Sequence, residues 1–267
     1  MSDSTTFYDA LGANYDLLIN WKARLAREGP FYRRLFEEHG VKSVLDMACG
    51  TGRHAAMFRD WGLDVTACDP SQEMLRVCRR NYGDRGIEFA PVGFGEIQSL
   101  LQRTFDAITC LGNSHPHLLA DEDVRATLDD YRASLRPGGV LVIQTLNYAQ
   151  MLADNDRFMA PVGGTIGDRE LLFLRVFDFG EQFAEFNMVT LIKEAGSWRH
   201  SVETTRHRMT FRADLERHLR SAGFGEVRFY GGFNREPYDE RTSDHLLAVA
   251  APTDDASGGR KPSERNG

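Results

Sequence analysis

Apolar and polar positions along the chain fall into blocks whose period changes, and the changes mark the elements. From Phe7 to Gly40 the residues Tyr15, Leu18, Ile19, Leu25, Phe31, Leu35 and Phe36 recur at roughly helical spacing, so this stretch reads as mostly helical, with Pro30 after Gly29 marking a helix start. Short apolar runs then alternate with helical patterns. Val41, Val44 and Leu45 form a first strand and Ala55, Ala56, Met57, Phe58 and Trp61 line a helix that stops at Gly62. Leu63 to Asp69 forms a second strand, Pro70 to Tyr82 a helix with Met74, Leu75 and Cys78 inward, and Ile87 to Val92 and Phe105 to Leu111 the next two strands. Asp121 to Leu135 is again helical, Arg136-Pro137-Gly138-Gly139 is a turn, and Val140 to Thr145 is a buried fifth strand. Such alternation implies a parallel sheet with helices on both faces.

Beyond Asn147 the helices drop out. Leu171 to Phe179, Phe183 to Ala195 and Ser201 to Phe211 are β-rich and separated by glycine turns, which predicts antiparallel pairing and a flap over the strand ends. A helix from Ala213 to Ala222 and strands at Val227 to Tyr230 and His245 to Ala250 close the core. The fold class is therefore α/β: a Rossmann-like, doubly wound, mostly parallel sheet with helices on both faces, plus an antiparallel β flap inserted after strand five. The corresponding division is a helical N-terminal lid over 1–40, a core over 41–150, the flap over 151–211, closing elements over 212–252 and a polar, disordered tail over 253–267.

The chemistry concentrates at the tip of the first strand. In Val44-Leu45-Asp46-Met47-Ala48-Cys49-Gly50-Thr51-Gly52 an apolar run ends at an acid and two glycines before a helix begins. Glycine lets a ligand approach the backbone, and the first N–H groups of a helix point at whatever lies above the strand. The position three after Gly52 is Ala55, which departs from the dinucleotide fingerprint. A second acid, Asp69, ends the next strand nineteen residues after Gly50, where a carboxylate accepts both hydroxyls of a ribose.

Composition narrows the remaining classes. The 267 residues carry a net charge of -7, which argues against a nucleic-acid partner, and the cluster Arg199, His200, Arg206, His207 and Arg208 reads as a solvated strand face alternating with buried positions. Cys49, Cys68, Cys78 and Cys110 form no C-x-x-C pair and read as small core residues in a reducing compartment; no metal site is expected, His115 and His117 included. No apolar run approaches membrane-spanning length and no signal sequence is evident, so a cytoplasmic protein without a membrane partner is expected.

The motif around Asp46 and its partner Asp69 resemble motif I and its following acid in the class I S-adenosylmethionine-dependent methyltransferases. The run Cys110-Leu111-Gly112-Asn113-Ser114-His115-Pro116-His117-Leu118, with Leu135-Arg136-Pro137-Gly138-Gly139 and Asn147-Tyr148, is similar to the glycine and sarcosine N-methyltransferases and their small-molecule relatives. The resemblance implies S-adenosyl-L-methionine as cofactor and a small-molecule methyl acceptor, an amine nitrogen or alternatively a hydroxyl; a cofactor-binding protein without catalysis is the other reading. By the same resemblance the cofactor residues would be Tyr15, Arg24, Asp46, Ala48, Gly50, Gly52, Asp69, Pro70, Met74, Phe94, Gly95 and Leu111, with Arg24 against the cofactor carboxylate and Tyr8 as an approximate match to a lid aromatic. Asn113, His115, His117 and Tyr148 are candidate catalytic helpers. Where glycine-methylating relatives carry an arginine before the Asn-Tyr pair, this chain has Leu146, so Arg157, Arg175, Arg208 and Tyr238 are the candidates for acceptor binding. A loop acid that reads the adenine amino group in the relatives is replaced by Val92-Gly93-Phe94-Gly95-Glu96. A homodimer through the flap is the assembly considered.

Overall fold

The computed structural model describes residues 3–253. The expected disordered tail lies, from residue 254 onward, outside the described residues. The chain opens with α1 (Asp3–Leu11), a 3-10 turn at Gly12–Leu18 and α2 (Trp21–Glu38). The core follows as β1 (Ser43–Met47), α3 (Arg53–Asp60), β2 (Asp64–Cys68), α4 (Gln72–Tyr82), β3 (Glu88–Ala90), α5 (Ile97–Leu100), β4 (Phe105–Cys110), α6 (Asp121–Ser134) and β5 (Leu135–Leu146). Then come α7 (Tyr148–Asp154), the strands β6 (Phe158–Ile166), β7 (Arg169–Phe179), β8 (Phe183–Glu194) and β9 (Ser197–Arg208), and finally α8 (Arg212–Ser221), β10 (Phe224–Tyr230) and β11 (His245–Pro252).

Seven strands form one sheet in the order β10-β11-β5-β4-β1-β2-β3. Strands β1 to β5 pair parallel, and β11 pairs antiparallel with both β5 and β10. The strand order reverses beside β1, and in such sheets the crevice at the carboxyl ends next to that reversal is where ligands bind. Alternation along β1 explains the two faces. Leu45 and Met47 join the cluster with Val124, Leu128 and Tyr131 of α6 and Leu215 and Leu219 of α8, while Val44 joins Phe31, Tyr32 and Phe36 of α2 and Phe58 of α3.

The second sheet has the order β6-β7-β8-β9 and is antiparallel throughout. Period-two alternation turns Leu171, Phe173 and Phe177 of β7, Ala184, Phe186 and Met188 of β8, and Thr205 and His207 of β9 inward, onto Phe7 and Leu11 of α1 and Leu18. The flap and the N-terminal helix thus share a third apolar cluster that roofs the crevice.

Four local expectations change. Pro30 lies inside a continuous α2; the lost N–H bond is outweighed by burial of Phe31, Tyr32, Leu35 and Phe36 on the same helix. Strand β6 is an additional strand whose Pro161, Gly163 and Gly164 conceal it in the sequence, and it is tolerated because it is an edge strand. The third β-rich segment starts at Ser197 and ends at Arg208. Arg136 to Gly139 form an irregularity within β5: Leu135 already pairs with Phe105, and the register then jumps to Ala107 with Val140.

Candidate functional site

The turn after β1 is strained where it meets open space. Ala48, Gly50 and Gly52 have φ of 53°, 56° and 79°, the left-handed region that costs an alanine about 1–2 kcal/mol. Cys49 donates its N–H to the Cys68 carbonyl at 2.9 Å, and Gly50 donates to Asp69 Oδ2 at 2.9 Å. Asp69 Oδ1 accepts from the Ser71 N–H at 2.9 Å. An ionised carboxylate offers about four acceptor sites, so two N–H bonds leave capacity for a diol. Burial pushes the Asp69 carboxyl up to about 7, against the lowering effect of those two N–H bonds.

Above this turn lie two cavities that share the side chains of Tyr8 and Tyr15. The first, about 280 Å³, is lined by Ala48, Gly50, Asp69, Pro70, Ser71, Met74, Gly93, Phe94, Ser114, His117 and Leu118, with Asp123 among its residues. The second, about 320 Å³, is lined by Arg24, Arg27, Glu28, Gly112, Asn113, Gln144, Leu146, Met159, Arg175, Phe177, Phe186, Met188 and His207, among others. Tyr8 and Tyr15 stand edge to face with ring centroids 6.0 Å apart, a divider supplied by the N-terminal segment. That segment is latched to the core: Ser71 Oγ bonds Asp9 at 2.5 Å, Thr51 Oγ1 bonds Asp16 at 2.6 Å, and Arg53 pairs with Asp16 at 2.6 Å.

Arg24 enters the second cavity close to Gly112. Its Nε donates to Glu28 at 2.8 Å, and the other Glu28 oxygen lies 2.8 Å from His54 Nε2. Burial raises the Glu28 pKa, but the bonds from His54 and Arg24 outweigh it and hold the carboxyl at about 2. Glu28 is the one acid among the described residues lining this cavity, and it is committed to those partners.

A polar chain crosses the floor. Asn113, itself at φ 68°, accepts the Leu146 N–H at 3.0 Å through Oδ1, which fixes its amide orientation. Its Nδ2 donates to the Tyr148 hydroxyl at 3.0 Å, so the Tyr148 proton goes to His207 Nδ1 at 3.0 Å. His207 is therefore the Nε2–H tautomer, and that nitrogen is buried without a partner among the described residues. The His207 ring stacks on Phe186 and meets His117 edge-on at 4.6 Å; His117 Nε2 in turn lies 3.1 Å from the Tyr8 hydroxyl. Burial holds His117 down at about 4, and burial together with His117 lowers His207 well below the usual histidine range, so both rings are neutral at pH 7.

Of the residues singled out in the sequence, Tyr8, Tyr15, Ala48, Gly50, Asp69, Pro70, Met74, Phe94 and His117 meet at the first cavity, and Tyr8, Tyr15, Arg24, Asn113, Leu146 and Arg175 at the second. Tyr148 is wholly buried behind Asn113 and His207. The others line neither cavity. Asp46 lies beneath the turn and accepts from Thr109 at 2.8 Å, its cross-strand neighbour in register. Gly52 faces Cys78 and Tyr82, Gly95 is exposed next to Phe94, and Leu111 packs in the core. Arg157 is ion-paired with Asp178, Arg208 with Asp121 at 2.5 Å, and the Tyr238 hydroxyl bonds Asn147 at 2.7 Å. His115 sits with Arg208 and His218 in a separate small void. Glu96 folds back on the Gly93 N–H at 2.8 Å. Among the described residues no group of three His, Cys, Asp or Glu side chains is placed to hold a metal.

Sequence reasoning missed His207 as a site residue, having placed it only in a solvated basic stretch. The signal was there in the alternation Thr205-x-His207-x-Met209, which puts it on the inward face. It also missed Asp123 and the Glu28–His54 pair, which no motif marks.

Fold, strand-tip acids and sequence kinship set the chain beside one class, the S-adenosylmethionine-dependent methyltransferases. A methyltransferase domain model matches residues 44–139. Within the class the chain is similar to the glycine/sarcosine N-methyltransferase of Parasynechococcus marenigrum, 39% identical over 140 residues covering 52% of this chain and 50% of that one. It is also similar to the glycine/sarcosine/dimethylglycine N-methyltransferase of Actinopolyspora halophila, 30% identical over 251 residues covering 88% of this chain and 40% of that one. The chain thus spans about half the length of the curated relatives it matches. Its fold is shared with a sugar N-methyltransferase from Streptoalloteichus, with TM-score 0.73, 22% identity, and coverage of 91% of this chain and 94% of that chain.

Proposed function

We propose that this chain transfers a methyl group from S-adenosyl-L-methionine to the nitrogen of a small amine. The observation that carries the reading is the pair of cavities joined at Tyr8 and Tyr15, with the Asp69 carboxylate in one and the Arg24 guanidinium in the other. In this reading the adenosine portion occupies the first cavity, where Asp69 takes the ribose hydroxyls and Met74, Pro70 and Phe94 supply apolar contact. Arg24 takes the amino-acid carboxylate, to which its planar fork is suited. When bound, the cofactor supplies an electrophilic methyl on a sulfonium.

The chain's own residues align and exclude water. Phe7, Leu11, Phe177, Phe186 and Met188 give the second cavity an apolar wall, and alignment of two reactants in a dry site accounts for a large part of the rate in a displacement. Nitrogen is favoured over hydroxyl oxygen because a hydroxyl requires a base, whereas the cavity's carboxylate, Glu28, is tied to Arg24 and His54. An amine needs only to arrive unprotonated, and the guanidinium groups of Arg24, Arg27 and Arg175 disfavour its ammonium form. His207, neutral and fixed by Tyr148, offers its Nε2–H as a hydrogen-bond donor.

The same reading makes residues 3–40 a lid and the flap the shaper of the acceptor site. The four free cysteines agree with a cytoplasmic setting, and no helix among the described residues is long and apolar enough to cross a membrane. A homodimer through the flap is supported by exposed Trp198 and Val202 on β9, and sedimentation tests it. The function itself is tested by incubating the protein with S-adenosylmethionine and a panel of amines, amino sugars and phenols while following S-adenosylhomocysteine and product mass. N-methylated product supports the reading; methylation confined to phenols, or none with any acceptor class, rejects it.

A further inference from the structure

We infer that Glu28 and His54 are positioning residues for Arg24: together they aim its guanidinium into the second cavity, so that it meets a ligand carboxylate end-on. The inference rests on the proposed function, in which that carboxylate belongs to the amino-acid portion of the cofactor.

Arg24 and Glu28 stand one turn apart on α2, and His54 is the second residue of α3, just past the glycine turn. Glu28 and His54 are buried, at 1% and 5% exposure. One Glu28 oxygen accepts from Arg24 Nε and the other lies against His54 Nε2, both at 2.8 Å. Glu28, held at about 2, is ionised and offers only acceptors, so His54 Nε2 carries a proton and donates. The carboxylate is thus tied to two helices at once, and its orientation is fixed before any ligand enters.

Three contacts set the guanidinium. Glu28 holds Nε, the Trp21 ring lies 5.2 Å from Cζ, and the two Nη atoms reach to 3.7 and 4.0 Å from where a Cβ on Gly112 would stand. Trp21 is itself set by His54, edge to face with centroids 5.7 Å apart. Among the described residues Glu28 is the one carboxylate paired with Arg24, and with Nε engaged the two Nη atoms are the fork left for a ligand. A long side chain loses rotamer freedom on binding, and a side chain already anchored loses less. A fixed negative charge also opposes an incoming anion. Here it bonds the Nε edge rather than the Nη pair, and Arg27, 3.6 Å from the same Glu28 oxygen, together with Arg175 keeps the cavity cationic. Preorganisation therefore outweighs repulsion. A clasp that served only to join α2 to α3 would not need an arginine whose far end faces a cavity.

The test is calorimetry on the full-length protein with two probes, S-adenosylhomocysteine and 5′-methylthioadenosine, which share the nucleoside and differ in the amino-acid portion. The native chain is expected to bind S-adenosylhomocysteine at least about tenfold tighter, and Arg24→Ala to erase the difference. Glu28→Ala and His54→Phe should each weaken S-adenosylhomocysteine at least about fivefold while 5′-methylthioadenosine stays within about twofold, which also shows that the fold is intact. His54→Gln, which keeps an N–H donor, should retain most of the preference, and Glu28→Ala should add no further loss in the Arg24→Ala background. Parallel loss of both probes makes the pair a structural clasp and overturns the inference, as does an additional loss of preference in the double variant. If both probes bind the native chain and their preference ignores Glu28 and His54, the positioning role falls and the methyltransferase reading stands. If neither probe binds the native chain, the reading falls and takes the inference with it.

Discussion

The Tyr148 hydroxyl lies 3.0 Å from Nδ1 of His207 and accepts, on its other side, the amide of Asn113. One hydroxyl thereby joins the carboxyl end of the main sheet to the last strand of the flap, 59 residues later in sequence. It also decides which His207 nitrogen carries the proton. Removing it in Tyr148→Phe leaves the Asn113 amide and His207 Nδ1 with only the long 3.5 Å contact between them. We expect a loss of about 1–3 kcal/mol in urea unfolding, and a fall in acceptor kcat/KM of at least about tenfold with S-adenosylhomocysteine affinity retained. An unchanged unfolding midpoint would show that the chain of bonds is not formed in solution.

Asp69 gives a pH dependence of opposite meaning to that of the histidines. Its carboxyl is pushed up to about 7, and in the proposed function only the ionised form would accept from both ribose hydroxyls. S-adenosylhomocysteine affinity should therefore rise with pH through about 7 and level off above it, with a slope approaching tenfold per unit on the acid side. Calorimetry across that range checks this, and Asp69→Asn should bind more weakly with the slope gone.

Protonation of the buried histidines governs stability on the acid side. His115 and His117 are held at about 4 in the folded chain by burial, below their unfolded values near 6.5. The unfolded chain binds more protons between those values, so stability present above about 6.5 is lost as pH falls toward 4. Asp69, with its raised pKa, works in the contrary direction over about 4 to 7. The two histidines outnumber it, so Tm should drop from pH 7 to pH 5, and His117→Gln should flatten the drop.

Much of this fold was legible because its core elements carry strong patterns. The run from Val44 to Gly52 and the acid at Asp69 announced both strand tips, and the fifth strand announced itself through Val140 to Ile143. Elements whose residues contradict their state stayed hidden: β6, with a proline and two glycines, forms only because β7 pairs with it. The first cavity follows local motifs, so Ala48, Gly50 and Asp69, singled out in the sequence, line it together. The second cavity is assembled from distant strands. Nothing local distinguishes Arg175 from Arg157 or Arg208, and only the sheet register turns the first inward and leaves the others to Asp178 and Asp121. His207, by contrast, carries its signal in the alternation Thr205-x-His207-x-Met209.

The N-terminal segment is held to the core by few groups. Asp16 alone accepts from both Thr51 and Arg53. Asp16→Ala should therefore leave the core intact, shift Tm by only a few degrees, and speed release of S-adenosylhomocysteine severalfold in stopped-flow exchange. An unaltered release rate would mean that the N-terminal segment does not gate the site.

In the proposed function Asp69 and Arg24 grip two ends of one adenosyl ligand across the Tyr8–Tyr15 divider. Its most direct test is calorimetric titration of the native protein with S-adenosylhomocysteine and, separately, with NAD. Saturable 1:1 heat is expected with S-adenosylhomocysteine, weakened at least about tenfold in each of Asp69→Ala and Arg24→Ala, and no heat with NAD. Absence of heat with S-adenosylhomocysteine, or binding indifferent to both substitutions, would contradict it.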